Sequence, residues 1–272
     1  MSQSNNVSNA RKLAEAAVML AVATVLSMLK LLDLPYGGSV TIASMLPVII
    51  IAYRHGARLG LLTGFVFGII QQLLGLKTLS YVTTWQSILA VIILDYLVAF
   101  MVLGLGGMFK KIHSQSTALL CGTVFVCILR YLCHVISGAT VWAGLSIPTN
   151  AALIYSIGYN ATYMIPETIV TAILAYYVGS ILDFRNDTIT RIKPSEKAGL
   201  PVLKWIGGLF IAAALVFDVR TIFAHLQNGE TGEFDATGFA SVDWKIILIV
   251  SCIAIVAALI LFMVPFGKKN KD

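Results

Sequence analysis

Residues 86–108 read QSILAVIILDYLVAFMVLGLGGM, and Asp95 is the one charged side chain in that stretch. About 20 apolar residues, each rising 1.5 Å along a helix axis, are enough to cross a hydrocarbon core roughly 30 Å thick. Further apolar blocks lie at roughly 13–32, 40–53, 57–75, 115–138, 151–182, 203–224 and 244–265. The pattern predicts an all-α integral membrane protein with eight spans.

The composition of the whole chain favours the same class. Charged residues make up 12% of the chain, about half the share that soluble domains carry. The net charge of +6 does not indicate a nucleic-acid partner, because the lysines and arginines cluster at the ends of apolar blocks. The cysteines lie inside apolar blocks without metal-ligand spacing, so we expect packing residues, no metal and no cofactor. They are Cys121, Cys127, Cys133 and Cys252.

The charges in the loops predict the orientation of the bundle. Basic residues follow the second, fourth, sixth and eighth blocks: Arg54, Arg58, Lys110, Lys111, Arg185, Arg191, Lys193, Lys197, Lys268, Lys269 and Lys271. The alternate loops are nearly free of Lys and Arg, so the positive-inside rule places both termini in the cytoplasm. A cytoplasmic linker at 186–202 is predicted to separate a six-helix domain, residues 1–185, from a two-helix hairpin, residues 203–272.

Ionisable side chains at membrane depth are costly and therefore mark candidate sites. Asp95 lies in the middle of the fourth block, whereas Arg130 and His134 are one helical turn apart and share a face of the fifth. Two interpretations stay open at this point. These groups bind a ligand, or Asp95 and Arg130 neutralise each other as a structural pair.

The sixth block carries a second polar face. Asn160, Tyr163 and Glu167 follow an i, i+3, i+7 spacing, with Tyr155 and Tyr159 nearer the outer side. An acid, a base, an imidazole, an amide and aromatic rings would then converge in the outer half of the bundle. That set suits a small, flat, cationic heteroaromatic ligand, because ring faces attract cations and carboxylates accept amino hydrogens. The spacing leaves open whether Glu167 lines this site or caps a neighbouring helix.

Four ordered stretches resemble the thiamine-specific S components of energy-coupling factor (ECF) transporters, the membrane subunits that capture the substrate. The stretches are YGGSVTIASMLP at 36–47, LDYLVAF at 94–100, RYLCH at 130–134 with Ser137, Gly138 and Trp142, and YSIGYN at 155–160. The similarity covers about residues 10–185. It implies a six-helix substrate-binding body in the bacterial cytoplasmic membrane and a transport protein rather than an enzyme.

The resemblance also implies the residues of a thiamine site. Asp95 would hold the aminopyrimidine or the cationic charge, Asn160 would hydrogen-bond to the pyrimidine, and Gly138 would leave room for the ligand. The side chains that would pack on the rings are His134, Trp142 and Tyr155. The full expected set is Asp95, Arg130, His134, Gly138, Trp142, Tyr155, Asn160, Tyr163 and Glu167. The outer lid would be Gly37, Gly38 and Ser39.

The implied mechanism needs partner subunits. Ala17 and Ala21 match the family's small-residue motif, which contacts a transmembrane coupling subunit, and two separate ABC-type ATPases would supply the energy. The chain itself has no Walker A motif. It departs from some relatives at three places, since they have Glu for Asp95, Lys for Arg130 and Trp for Gly38. The tail after residue 198 is an addition to which the resemblance assigns no role.

Other functions stay open on the residues alone. The chain could be an S component for another vitamin or a thiamine precursor. It could be a proton-coupled secondary transporter that uses Asp95 or Glu167, or an intramembrane enzyme that combines these carboxylates with His134.

Overall fold

The computed structural model describes residues 8–34, 37–144, 149–192, 201–226 and 236–263. The chain divides into two compact units, Met1–Arg191 and Ile192–Asp272. Both are built mainly from helices, as the apolar blocks predict. The helices of the first unit are α1 Asn9–Met28, α2 Leu46–His55, α3 Ala57–Leu74, α4 Trp85–Leu105, α5 Gln115–Gly144 and α6 Thr149–Ile181.

Five helices in the described part of the chain are long and apolar enough to cross a membrane. Four of them, α3 to α6, belong to the first unit, and the fifth lies in the second. The protein is therefore a multi-pass membrane protein. α2 has 10 residues and a length of about 15 Å, which is half a hydrocarbon core, so the count of eight full crossings stays a prediction.

Helix α4 is irregular in the middle. Residues Val91–Val98 form a π-helical segment, and Val102–Leu105 end the helix as a 3-10 turn. π-helical segments are rare and occur frequently at functional sites. Asp95 lies within this one, so an irregularity that hydropathy does not reveal coincides with the charged residue.

Glycines pack α3 closely against α4. A Cβ atom added to Gly68 would lie 2.7 Å from the carbonyl oxygen of Tyr96, and one added to Gly60 would lie 2.9 Å from the Cα atom of Gly104. Small residues at such contacts allow two helix backbones to approach closely. The α3 glycines thus fix where α4, and with it Asp95, lies in the bundle.

Two short β-hairpins interrupt the helical pattern. β1 Lys30–Asp33 pairs antiparallel with β2 Ser39–Thr41 before α2, and β3 Leu182–Asp183 pairs with β4 Thr190–Arg191 after α6. The all-α prediction missed both, because strands of two to four residues are too short to show an alternating pattern. β1 overlaps the end of the predicted first span, 13–32, and β2 overlaps the start of the predicted second span, 40–53. α1 therefore ends at Met28, and α2 begins only at Leu46.

Arg54 joins three segments at one end of the bundle. Its side chain is 3% exposed and forms an ion pair with Glu15 of α1. It also donates to the carbonyl oxygens of Phe184 and Asn186 at 3.0 and 3.1 Å. Nearby, Lys110 Nζ donates to the carbonyl oxygen of Arg54 at 3.3 Å. Burial lowers the pKa of the Lys110 ammonium, and the positive charges of Arg54 and Arg185 lower it further.

The second unit contains α7 Pro201–His225, a 3-10 turn at Ala236–Ser241 and α8 Trp244–Met263. Asp218 of α7 is buried, and Ser251 Oγ of α8 donates to its Oδ2 atom. α8 exposes apolar side chains along much of its length. A hydrogen bond between two helices with apolar outer surfaces is typical of helices that pair in a membrane.

The close contact between α3 and α4 predicts that replacing a glycine at this contact lowers stability, whereas replacing an exposed glycine does not. Gly68→Ala should lower the free energy of unfolding by about 1–3 kcal/mol, because the added methyl group overpacks the contact with Tyr96. Gly158→Ala on α6 is the matched control, since its Cβ would meet nothing within 4 Å. It should gain about 0.5–1 kcal/mol. Thermal unfolding in detergent measures both, and equal stabilities would contradict the packing described.

Candidate functional site

A chain of hydrogen bonds links α4 to α5. Arg130 Nε donates to His134 Nε2 at 3.1 Å, and His134 Nδ1 lies 2.8 Å from Asp95 Oδ1. A guanidinium can only donate, so His134 Nε2 accepts and the neutral imidazole carries its proton on Nδ1, which donates to Asp95. The acid and the base are therefore joined through the imidazole.

Both ends of this chain, Asp95 and Arg130, are partly exposed, and the imidazole between them is buried. The side chain of Asp95 is 22% exposed, whereas that of His134 is 8% exposed. Asp95 is thus oriented by His134 and still has accepting capacity for another group. Asp95 is linked to Arg130 only through His134, so the two do not form a direct pair. Ligand binding by these groups stays a prediction.

Arg130 contacts two residues that lie within the quoted stretches but to which the sequence analysis assigned no role. Its Cζ atom lies 4.3 Å from the centroid of the Phe100 ring, a cation–π contact. Its Nη1 atom lies 2.9 Å from Met45 Sδ, a weak acceptor. Phe100 follows Asp95 by five positions on α4, and Met45 immediately precedes α2. Apolar and sulfur-containing side chains at these places carry no signal of a polar site.

Asn160 connects α6 to α5. Its Nδ2 atom donates to the carbonyl oxygens of Ser156 and His134 at 2.8 and 3.2 Å. Tyr163 Oη donates to Asn160 Oδ1 at 2.6 Å, and the Tyr163 ring meets the His134 ring edge to face at 5.8 Å. The i, i+3 pair predicted from spacing therefore lies beside His134, with Tyr159 packed on Tyr163 at 6.0 Å.

Gly138 lies at a close contact between α5 and α6. A Cβ atom there would collide with Ser156 Oγ and lie 3.1 Å from Asn160 Nδ2. Ser156 Oγ in turn donates to the carbonyl oxygen of Val135 at 2.7 Å. The observed neighbours of Gly138 are thus protein atoms of α6, and its expected role in leaving space for a ligand stays a prediction.

Glu167 binds the segment that precedes α2. Its Oε2 atom accepts from the backbone N–H of Thr41 at 2.6 Å, and its Oε1 atom accepts from Thr41 Oγ1 at 2.7 Å. Glu167 is 2% exposed. Of the two options that spacing left open, this contact resembles the capping of a neighbouring element. No sequence signal pairs two residues that are 126 positions apart.

The expected lid residues lie on the turn of the first hairpin. Gly37 has φ = 106°, which favours glycine. Gly38 is buried, and a Cβ atom there would lie 2.5 Å from Cδ1 of Tyr163. Ser39 begins β2 and is half-buried. The hairpin therefore packs on Tyr163, which itself contacts His134.

The remaining expected residues are placed only in part. Trp142 lies near the end of α5, but its side chain is outside the described residues. Tyr155 lies on α6, is half-buried and has an interaction partner. Ala17 and Ala21 both lie on the exposed surface of α1. In the described ranges, no group of three or more His, Cys, Asp or Glu side chains is arranged to hold a metal ion.

Comparison with known proteins gives the family. The family model for the thiamine transporter protein (Thia_YuaJ) matches residues 13–183. The chain belongs to this family. Thiamine transporter ThiT of Bacillus subtilis (strain 168) is 34% identical over 199 residues, which cover 69% of this chain and 96% of the relative. These matches confirm the resemblance predicted from the four stretches.

The Thia_YuaJ fold is also found by structural comparison. A solved structure of ThiT from Listeria monocytogenes has a TM-score of 0.50 and 23% sequence identity, covering 62% of this chain and 92% of that chain. The matched proteins are named as transporters, not enzymes. The family match ends at residue 183, so the helices α7 and α8 lie beyond it.

Tyr163 allows the network around Asn160 to be tested without a ligand. Tyr163→Phe removes the donor to Asn160 Oδ1 and should lower the free energy of unfolding by about 1–3 kcal/mol, because a buried acceptor loses its partner. Tyr176→Phe on the same helix is the control, since Tyr176 is 43% exposed. Thermal unfolding of the ligand-free protein measures both. If the two variants were equally stable, the hydrogen bond would have no energetic role.

Proposed function

We propose that this protein is the thiamine-binding S component of an ATP-driven ECF transporter in the bacterial cytoplasmic membrane, with both termini in the cytoplasm. The observation that carries the proposal is the Asp95 carboxylate, fixed by His134 inside the bundle of a thiamine transporter family member yet still accessible. Thiamine offers a cationic thiazolium ring and an aminopyrimidine. A carboxylate can neutralise the first or accept from the amino group of the second.

The neighbouring groups suit the rest of such a ligand. The rings of Tyr159 and Tyr163 lie on the same side of α6 as Asn160 and pack against each other. Aromatic faces attract cations with about 0.5–2 kcal/mol per contact. Trp142 and Tyr155 remain candidates for ring stacking by resemblance. Arg130 keeps the uncharged imidazole and Asp95 in one arrangement before the ligand arrives, which reduces the cost of binding.

Asp95→Asn tests the ligand contact. We expect thiamine affinity to fall about 10- to 100-fold, the usual value of a charge-assisted hydrogen bond. Asp187→Asn, an exposed carboxylate on the turn between β3 and β4, is the matched control and should bind like the wild type. Isothermal titration calorimetry with thiamine gives both affinities. If Asp95→Asn bound thiamine as tightly as the wild type, the proposed contact between Asp95 and thiamine would be wrong. If a bare aminopyrimidine bound more tightly than thiamine, the site would stand and the proposed substrate would be wrong.

The coupling mechanism is supported by the exposed face of α1. Ala17 and Ala21 are one turn apart and exposed, so a helix of a partner could approach closely at this place. The loops around Arg54, Lys110 and Arg185 form a basic end of the bundle, which supports a cytoplasmic location for that end.

Ala17→Trp should abolish ATP-driven thiamine uptake and leave thiamine binding intact, because a bulky ring prevents close approach of the coupling subunit. Val18→Trp is the control: Val18 is 63% exposed and is turned about 100° around the helix. Uptake is measured in proteoliposomes with the coupling subunit and two ATPases. Uptake that continues without ATPases and stops with an uncoupler would instead support a proton-coupled transporter.

A further inference from the structure

The segment from β2 to the start of α2 is irregular backbone enclosed by helices. Val40, Ala43 and Met45 are at most 2% exposed, and Ala43 has φ = 54°, in the left-handed region. Non-helical backbone inside a membrane protein is tolerated only where protein groups or water satisfy its N–H and C=O groups. The position of this segment therefore depends on the side chains that bind it.

Glu167 provides such a side chain. Its two carboxylate oxygens accept the two donors of one residue, the backbone N–H and the hydroxyl of Thr41. The backbone N–H of Ser44 donates to Thr41 Oγ1 at 3.3 Å, which extends the contact toward α2. The observed hydrogen bonds of Glu167 are thus directed at the hairpin rather than at Asp95 or His134.

The same segment is contacted at two further points by residues of the polar cluster. Gly38 packs on the ring of Tyr163, which is one turn before Glu167 on α6. Arg130, which binds His134, also contacts Met45 at the end of the segment. Movement of the hairpin away from α6 would have to break these contacts together.

We propose that Glu167 is a positioning residue: by binding Thr41 it holds the hairpin β1–β2 closed against Tyr163 and so slows the release of a bound ligand. The hold itself does not depend on which ligand is bound. Its effect on thiamine release rests on the proposed function. A residue that contacted the ligand directly would weaken binding without changing the exchange of the hairpin.

Two readouts test the proposal on the purified protein: deuterium exchange of segment 37–45 without ligand, and the dissociation rate of thiamine by stopped flow. In Glu167→Gln, the amide offers one acceptor where the carboxylate offers two. We expect faster exchange confined to this segment and release that is about 10- to 100-fold faster. Association should be no slower than in the wild type, because a hairpin that opens more readily also admits the ligand.

Variants of Thr41 define the partner. Thr41→Val removes the hydroxyl donor and should also speed exchange and release, whereas Thr41→Ser keeps both donors and should behave like the wild type. If Glu167 acts through Thr41, the double variant Glu167→Gln/Thr41→Val should show less than the sum of the two effects. Thr63→Val is the control, because its buried hydroxyl donates within α3 to the carbonyl oxygen of Leu59.

The outcomes separate this proposal from the proposed function. If Glu167→Gln changes neither exchange nor release, or speeds exchange equally throughout the chain, the positioning role is wrong. If it weakens binding while segment 37–45 exchanges as in the wild type, Glu167 contacts the ligand. If the wild type binds no thiamine, the proposed function fails, while a local rise in exchange in ligand-free Glu167→Gln still supports the hold on the hairpin.

Discussion

A polar group inside a membrane-embedded bundle must find its partner within the protein, because the hydrocarbon around it offers none. This constraint accounts for most of the side-chain network in the first unit. Asp95 is bound by His134 and His134 by Arg130. Arg130 also lies on the Phe100 ring, and on a neighbouring helix Glu167 takes both donors of Thr41. Apart from the contact of His134 with Arg130 inside α5, each of these contacts joins two different elements. Satisfying the polar groups therefore also fixes the relative positions of the elements that carry them.

One irregular part of the backbone, the π-helical segment of α4, lies within this network. The π-helical segment of α4 contains both Asp95 and Tyr96. The side chain of Asp95 reaches His134 on α5, whereas Tyr96 Oη lies 3.1 Å from Thr78 Oγ1 on the connection after α3. Gly68 allows α3 to approach the carbonyl oxygen of Tyr96. Two adjacent residues are thereby held by different neighbours, and the carboxylate keeps a defined position before any ligand is bound.

The sequence predicts the helices well because each needs only a long apolar block, and α3 to α6 lie close to the predicted bounds. Spacing also predicts that Arg130 and His134, or Asn160 and Tyr163, share a face. It cannot predict which residues of other elements they meet. Thr41 and Glu167 are far apart in the chain, and Met45 and Phe100 are apolar residues whose contact with Arg130 appears only after folding. The short hairpin β1–β2 escapes detection for a related reason, since its buried strand resembles the start of an apolar span.

The division of the chain limits where substrate recognition can be sought. The family match covers residues 13–183, and the polar cluster lies within it. In the second unit, the buried carboxylate of Asp218 is bound by Ser251 of the adjacent helix. That contact satisfies one of its oxygens inside the α7–α8 pair. The structure thus gives the carboxylate of α7 a role in joining two helices, whereas the carboxylate of α4 is oriented by an imidazole and left accessible. Of these two carboxylates, only Asp95 is both oriented by an imidazole and partly exposed. The imidazole that orients it is itself contacted by the ring of Tyr163 and the amide of Asn160.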